Sequence, residues 1–250
     1  WSTAGAFLAK LKSGKIVAWG SQRQGADLTA IQAVLDTEGL EQAWSTFGAF
    51  LAKLKSGRVV AWGNHSQGAD LKAVQAVLDA EGLEQVWSSG SAFLAKLKSG
   101  RVVAWGAQSA GADLKTVQAV LDTDILDQVK MAGIEGLIAG VPNPPANASS
   151  VWGTDGAFLA KLKSGKAVAW GNQSQGANLS TVQAVLDTEG LDQVWSTFTA
   201  FLAKLKSGRV VAWGGQAADL TAVQALLDSE GLDQVWSSGN AFVAKLKSGR

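Results

Sequence analysis

AFLAKLKSGRVVAWG occupies residues 49–63 and returns letter for letter at 92–106 and 200–214. Variants of it place a phenylalanine at Phe7, Phe50, Phe93, Phe158, Phe201 and Phe242, in steps of 43, 43, 65, 43 and 41 residues. A period of this length marks a repeat architecture, so the chain is read as one repeat domain over 1–250.

The unit at 86–128, VWSSGSAFLAKLKSGRVVAWGAQSAGADLKTVQAVLDTDILDQ, shows the local structure. VWSS and AFLAKLK are short β-type runs parted by Gly90 and Ser91. SGR makes the next turn, and VVAWG is a third strand closed by Gly106. The period then changes: Leu114, Val117, Val120 and Leu121 recur at helical spacing, with Asp113 placed as N-cap. In sister units DTEGL or DAEGL stops the helix at a glycine, with the leucine folding back on the last turn. Each unit is therefore three strands and one short helix.

So small a sheet cannot bury both its faces and must stack on its neighbours. Antiparallel strands ending in Trp-Gly favour a mainly-β propeller over a linear solenoid, because blades widen outward and need bulk between them. The 65-residue step holds VKMAGIEGLIAGV, a decayed copy of VWSSGSAFLAKLK, and then PNPPANASS. Pro142, Pro144 and Pro145 cannot sit in a β-ladder. Counting this degenerate blade at 129–150 gives seven blades, with six as the alternative.

Gly57-Arg58-Val59-Val60-Ala61-Trp62-Gly63-Asn64-His65-Ser66-Gln67-Gly68 resembles the repeat of the regulator-of-chromosome-condensation family. The similarity recurs at 14–25, 100–111, 165–176 and, shortened, at 208–215. It implies a seven-bladed propeller. The family's usual Gly-Gln-Leu-Gly ending is replaced here by GADL leading into a helix, and the shorter repeat is closer to the propeller-type β-lactamase inhibitory protein. Members serve as exchange factors, ubiquitin-ligase modules and enzyme inhibitors, so this fold does not choose a function.

Composition excludes more than it selects. With no cysteine, disulfides, thiol nucleophiles and Cys metal sites are absent; with His65 the sole histidine, multi-histidine sites are too. Twenty-two basic against twenty-one acidic residues argue against a nucleic-acid binder. No run of eighteen apolar residues suggests membrane insertion. Trp1 and Arg250 both interrupt the motif, so both ends read as trimmed.

Several repeated features carry possible chemistry. Lysine pairs such as Lys53/Lys55 and Lys96/Lys98 share a strand face and suggest a basic ring or, more simply, solubilised strand ends. Tryptophans fall into an AWG class (Trp19, Trp62, Trp105, Trp170, Trp213) and a WS class (Trp1, Trp44, Trp87, Trp152, Trp195, Trp236). The first suggests inter-blade packing; the second leaves room for a multivalent carbohydrate site. Asp27, Asp70, Asp113 and Asp219 read as helix caps, with Asn178 in the same place elsewhere, so no metal or other cofactor is expected. Asn64, Asn147, Asn172 and Asn178 fit the N-glycosylation pattern.

The function expected is non-catalytic protein binding, as an interaction module or an accessory subunit of a larger assembly, through the turns after each AWG on one propeller face. The candidate residues are Ser21, Gln22, Arg23, Gln24, Asn64, His65, Gln67, Gln108, Asn172, Gln173, Gln175 and Gln216. The asymmetric segment Pro142, Asn143, Pro144, Pro145 is a candidate docking edge. A lectin is the alternative.

Overall fold

A computed structural model describes residues 1–123 and 151–250. The degenerate copy at 129–150, the docking edge Pro142, Asn143, Pro144 and Pro145, and Asn147 lie outside the described residues, and with them the seventh blade. The chain divides into two compact units, Trp1–Leu114 and Lys115–Arg250.

In the first unit β1 (Ala6–Lys10) pairs with β2 (Ile16–Gly20), followed by a 3-10 turn at Gln22–Gln24 and α1 (Gln32–Glu38). Two complete sheets succeed it. One is β3 (Leu40–Ser45), β4 (Ala49–Leu54) and β5 (Val59–Gly63); the other is β6 (Leu83–Ser88), β7 (Ala92–Leu97) and β8 (Val102–Gly106). Between them stand a 3-10 turn at His65–Gln67 and α2 (Gln75–Glu81), and a further turn at Gln108–Ala110 follows β8.

The second unit begins with α3 (Gln118–Thr123). Its first sheet is β9 (Val151–Gly153), β10 (Ala157–Lys161) and β11 (Ala167–Gly171), followed by a 3-10 turn at Gln173–Gln175 and α4 (Gln183–Glu189). The next is β12 (Leu191–Ser196), β13 (Ala200–Leu205) and β14 (Val210–Gly214), with a turn at Gln216–Ala218 and α5 (Gln224–Glu230) after it. The hairpin of β15 (Leu232–Ser237) and β16 (Phe242–Leu246) completes the unit.

The repeated letters explain the repeated register. Phe50 stands opposite Ser45 on one side and Trp62 on the other, and Phe93 and Phe201 repeat the arrangement. The SGR turn closes because Gly57 adopts φ +90°, a region an L side chain enters only with strain.

The middle strand is buried on both sides, which is why AFLAKL reads as a run and not as an alternation. Phe50, Ala52 and Leu54 join Leu8, Ile16, Leu28 and Leu35 of the preceding repeat in one cluster. Ala49, Leu51 and Val59, with Leu71 and Leu78 of the same repeat, join Phe93 and Leu97 of the following one. The second unit repeats this between β9–β11 and β12–β14. Each sheet depends on its neighbours for its core, as a repeat too small to fold alone requires.

Two local expectations are corrected. The aspartates stand one turn ahead of the regular helix: Asp27 Oδ1 accepts from the Thr29 N–H at 2.9 Å, while α1 begins at Gln32. Four turn residues come first because the short acid side chain reaches only two residues on. Leu40 opens β3 and lies in one buried cluster with Leu35 of the helix's last turn, while the glycine ending the helix has φ 68° and ψ 141°, a positive-φ conformation outside the left-handed helical region. Its N–H still reaches the Leu35 carbonyl at 3.0 Å.

Candidate functional site

The turn after AWG is built the same way in four of the five described repeats, the exception being Gln216–Ala218, which ends at Asp219 with φ −76°. A strand ends at a positive-φ glycine, three residues make a 3-10 turn, and a second glycine such as Gly68, φ 110°, reverses the chain. Asn64 Oδ1 holds its turn by accepting from the N–H of Ser66 at 3.0 Å and its hydroxyl at 2.8 Å; Asn172 does the same with Ser174. Ser21 and Ala107 occupy that place without a side-chain cap.

The predicted residues separate into two groups by position in the turn. Gln24, Gln67 and Gln175 are half-buried and lie across Gly5, Gly48 and Gly156. A Cβ on Gly48 would sit 2.0 Å from the Gln67 carboxamide oxygen. Gln24 Nε2 donates to the Phe47 carbonyl at 3.3 Å and Gln67 Nε2 to the Ser91 hydroxyl at 3.2 Å, each reaching the following repeat. These glutamines, with Asn64 and Asn172, build the scaffold. Where the turn carries Ala110 instead of glutamine, Ser91 replaces the glycine; the space is conserved by an exchange of sizes nineteen residues apart.

Gln22, Arg23, His65, Gln108, Gln173 and Gln216 are exposed. Ser66, Ser109 and Ser174, in the same turns, stand beside them and are exposed too. In the first unit this gives Gln22 and Arg23, His65 and Ser66, and Gln108 and Ser109; in the second, Gln173 and Ser174, and Gln216. Hydrogen-bonding groups predominate and Arg23 is the sole full charge among these positions.

The lysines do not present a bare ring. A bulge between Leu40 and Gln42 turns Glu41 toward Lys53, and the ion pair closes at 2.9 Å. Lys96–Glu84 at 3.0 Å and Lys245–Asp233 at 3.0 Å repeat it. Lys55 lays its stem against Gly39. Glu38 accepts from the Ser56 hydroxyl and from Arg58 at 3.1 Å, which holds the carboxyl below its ordinary range, the serine contributing most.

Trp62, Trp105 and Trp213 of the AWG class pack against the preceding repeat, whereas Trp19 is 53% exposed. Trp62 Nε1 donates to the Gly25 carbonyl at 2.9 Å, Trp105 to Gly68 at 3.0 Å and Trp213 to Gly176 at 3.0 Å. The WS class does not supply a set of equivalent sugar platforms: Trp87 and Trp152 are buried, and Trp44 and Trp195 are half-buried. These indoles are needed to fill space between sheets. Asn178 Oδ1 accepts from the Ser180 N–H at 2.9 Å, matching the aspartates at its position.

Among the described residues no cluster of three or more His, Asp or Glu could hold a metal ion, and no helix is long and apolar enough to cross a membrane. Asp155 stands apart. At the corresponding place the sister repeats carry Ala4, Phe47, Gly90, Phe198 and Gly239. Desolvation pushes its carboxyl up to about 6.

No protein-family model and no curated protein matches the chain. Solved structures do. Yeast RCC1 (Prp20), in its crystal structure with Kap60, is 15% identical with a TM-score of 0.53, over 96% of this chain and 63% of that one. The ectodomain of the Physcomitrella patens receptor kinase CR4 is 12% identical with a TM-score of 0.49, over 94% of this chain and 54% of that one. Prp20p of Saccharomyces cerevisiae, described with its binding to Gsp1p and histones, is 16% identical with a TM-score of 0.47, over 86% and 57%. The chain thus spans about half to two thirds of the length of these structures. The first likeness, with the repeated three-stranded antiparallel sheets, shows a mainly-β fold of the RCC1-like propeller type.

Proposed function

We propose that the chain is a non-catalytic protein-binding module, a seven-bladed repeat domain whose recognition surface is the set of exposed turns after AWG. The observation carrying this reading is the division within each turn. Side chains tied into the scaffold, Asn64, Gln67 and their sisters, hold the turn rigid, while Gln22, Arg23, His65, Gln108, Gln173 and Gln216 project outward; the first of the exposed positions is glutamine in four turns and His65 in the fifth. Exposed polar positions on an over-determined backbone are suited to binding, because recognition there costs little ordering entropy. Yeast RCC1, solved bound to Kap60, lends the class weight.

Because these positions are rich in amide and hydroxyl groups, the partner surface they fit is polar and near-neutral. Nothing in the arrangement resembles a nucleophile with its base. The test is affinity capture with the native chain against a variant carrying Gln22→Ala, Arg23→Ala and His65→Ala. The reading expects a protein captured near one-to-one by the first and lost with the second, at unchanged thermal stability. Equal capture by both would remove the turns from the binding surface; release by free sugar would make the chain a lectin.

A further inference from the structure

The short tips ahead of the AFLAK-type strands are joined in rows. In the first unit the Ala4 N–H donates to the Phe47 carbonyl at 2.9 Å and the Phe47 N–H to the Gly90 carbonyl at 2.8 Å. In the second, the Asp155 N–H donates to the Phe198 carbonyl at 2.9 Å and the Phe198 N–H to the Gly239 carbonyl at 2.8 Å. These ties use backbone alone and leave the choice of side chain open. Ala4, Phe47, Gly90, Phe198 and Gly239 are apolar at this place, and Asp155 is the charged exception.

The Asp155 tip is fixed against the neighbouring turn. Thr154 Oγ1 donates to the Gln175 carbonyl at 2.8 Å, and the Asn172 N–H to the Gly156 carbonyl at 2.7 Å. Thr154 and Gly156 are buried, and Asp155 between them is half-buried. The tip thus stands beside Gln173 and Ser174, on the face that carries the exposed turns. Next in its row is Phe198, a half-buried ring that leans onto Gly239, where a Cβ would come within 2.6 Å of it.

Acids repeated through the chain are held by it: Glu41 by Lys53, Glu38 by Arg58 and Ser56, Asp36 by Gln32. The Asp155 carboxyl has no hydrogen bond or ion pair among the described residues, and its oxygens stay open to solvent. Burial raises it to about 6, so near pH 7 it is largely an ionised group partly stripped of water. Such a charge costs the free chain stability, and an opposite charge brought to it offsets that cost. A neighbouring aromatic ring attracts the same sign of charge. An acid that costs stability where sister repeats carry apolar residues points to binding.

Resting on the protein-binding reading above, we propose that Asp155 and Phe198 form a site on the recognition face for one basic side chain, lysine or arginine, of the partner protein. The carboxylate neutralises the cation, the ring takes its apolar stem and part of its charge, and the fixed tip holds both in place. The exposed turns supply polar contacts around this single ionic anchor.

The test needs no known partner. Displayed random peptides are selected on the native chain, and the strongest binder is measured by fluorescence anisotropy. Its sequence should carry a basic residue whose replacement by norleucine weakens binding about tenfold, as Asp155→Asn in the chain should too. Made together, the two changes should weaken it no more than either alone. Phe198→Leu, which keeps an apolar group over Gly239, should weaken binding about threefold. Asparagine matches aspartate in shape and removes a half-buried charge, so a thermal melt should show Asp155→Asn folded. Unaltered affinity in Asp155→Asn or Phe198→Leu overturns the site, as do additive losses, binders without a basic residue, or no binder at all. Gln173→Ala keeps the two readings apart: binding that it weakens and Asp155→Asn does not removes this site and leaves the turns as the binding surface.

Discussion

The indole N–H of Trp62 meets the carbonyl of Gly25 at 2.9 Å across thirty-seven residues of chain, one of the bonds that join one repeat to the next. Trp62→Phe keeps most of the ring but leaves a buried carbonyl without its donor. A loss of about 1–3 kcal/mol is expected. Urea unfolding followed by circular dichroism checks it, and an unchanged midpoint would mean that the bond contributes nothing net.

Gly25→Val tests the other half of the contact. The residue sits at φ 106°, and its new Cβ would enter the Phe50 ring at 2.5 Å. Strain and overpacking together should cost about 2–4 kcal/mol. Gly14→Val, also at positive φ (89°) but with nothing within 4 Å, isolates the backbone cost and should be the milder of the two.

The carboxyl of Asp155 is raised to about 6 by burial, above the range it has in an unfolded chain. The folded state therefore holds its proton more tightly. The contribution of this group is fully present below about pH 4 and is lost as pH rises through about 6. Thermal melts at pH 4.5 and 7.5 should show a fall that Asp155→Asn removes. An identical pH profile in the variant would place the effect elsewhere.

Within one turn, the two groups of side chains should answer differently. His65→Ala changes an exposed position and should move stability by less than about 0.5 kcal/mol. Gln67→Ala removes a bridge to Ser91 and empties the space over Gly48, so about 1–2 kcal/mol is expected. Parallel denaturation curves separate them; equal effects would contradict the assignment of Gln67 to the scaffold and His65 to the surface.

Much of this was readable before any coordinates. The identical runs and the change of period within each unit dictate three strands and a helix, because strand pairing, turn glycines and helical spacing act over a few residues. Inter-repeat packing by the AWG tryptophans also followed, since a small sheet must cover its faces with something bulky. The glutamine–glycine exchange at 67 and 48, and serine with alanine at 91 and 110, was visible by aligning the repeats, but only contact in space gives it a meaning.

The sequence by itself determined the local elements and the need for neighbours, both consequences of short-range backbone preference and of apolar area too large for one unit to hide. The tertiary structure decided which letters of each turn are scaffold and which are surface. It also decided that the first lysine of each pair goes to an acid thrown out by a β-bulge, as Lys53 to Glu41, or to a backbone carbonyl, as Lys10 to Leu40. Identical residues acquire different roles according to what stands against them, and hydrogen bonds and burial between segments tens of residues apart are set by the fold.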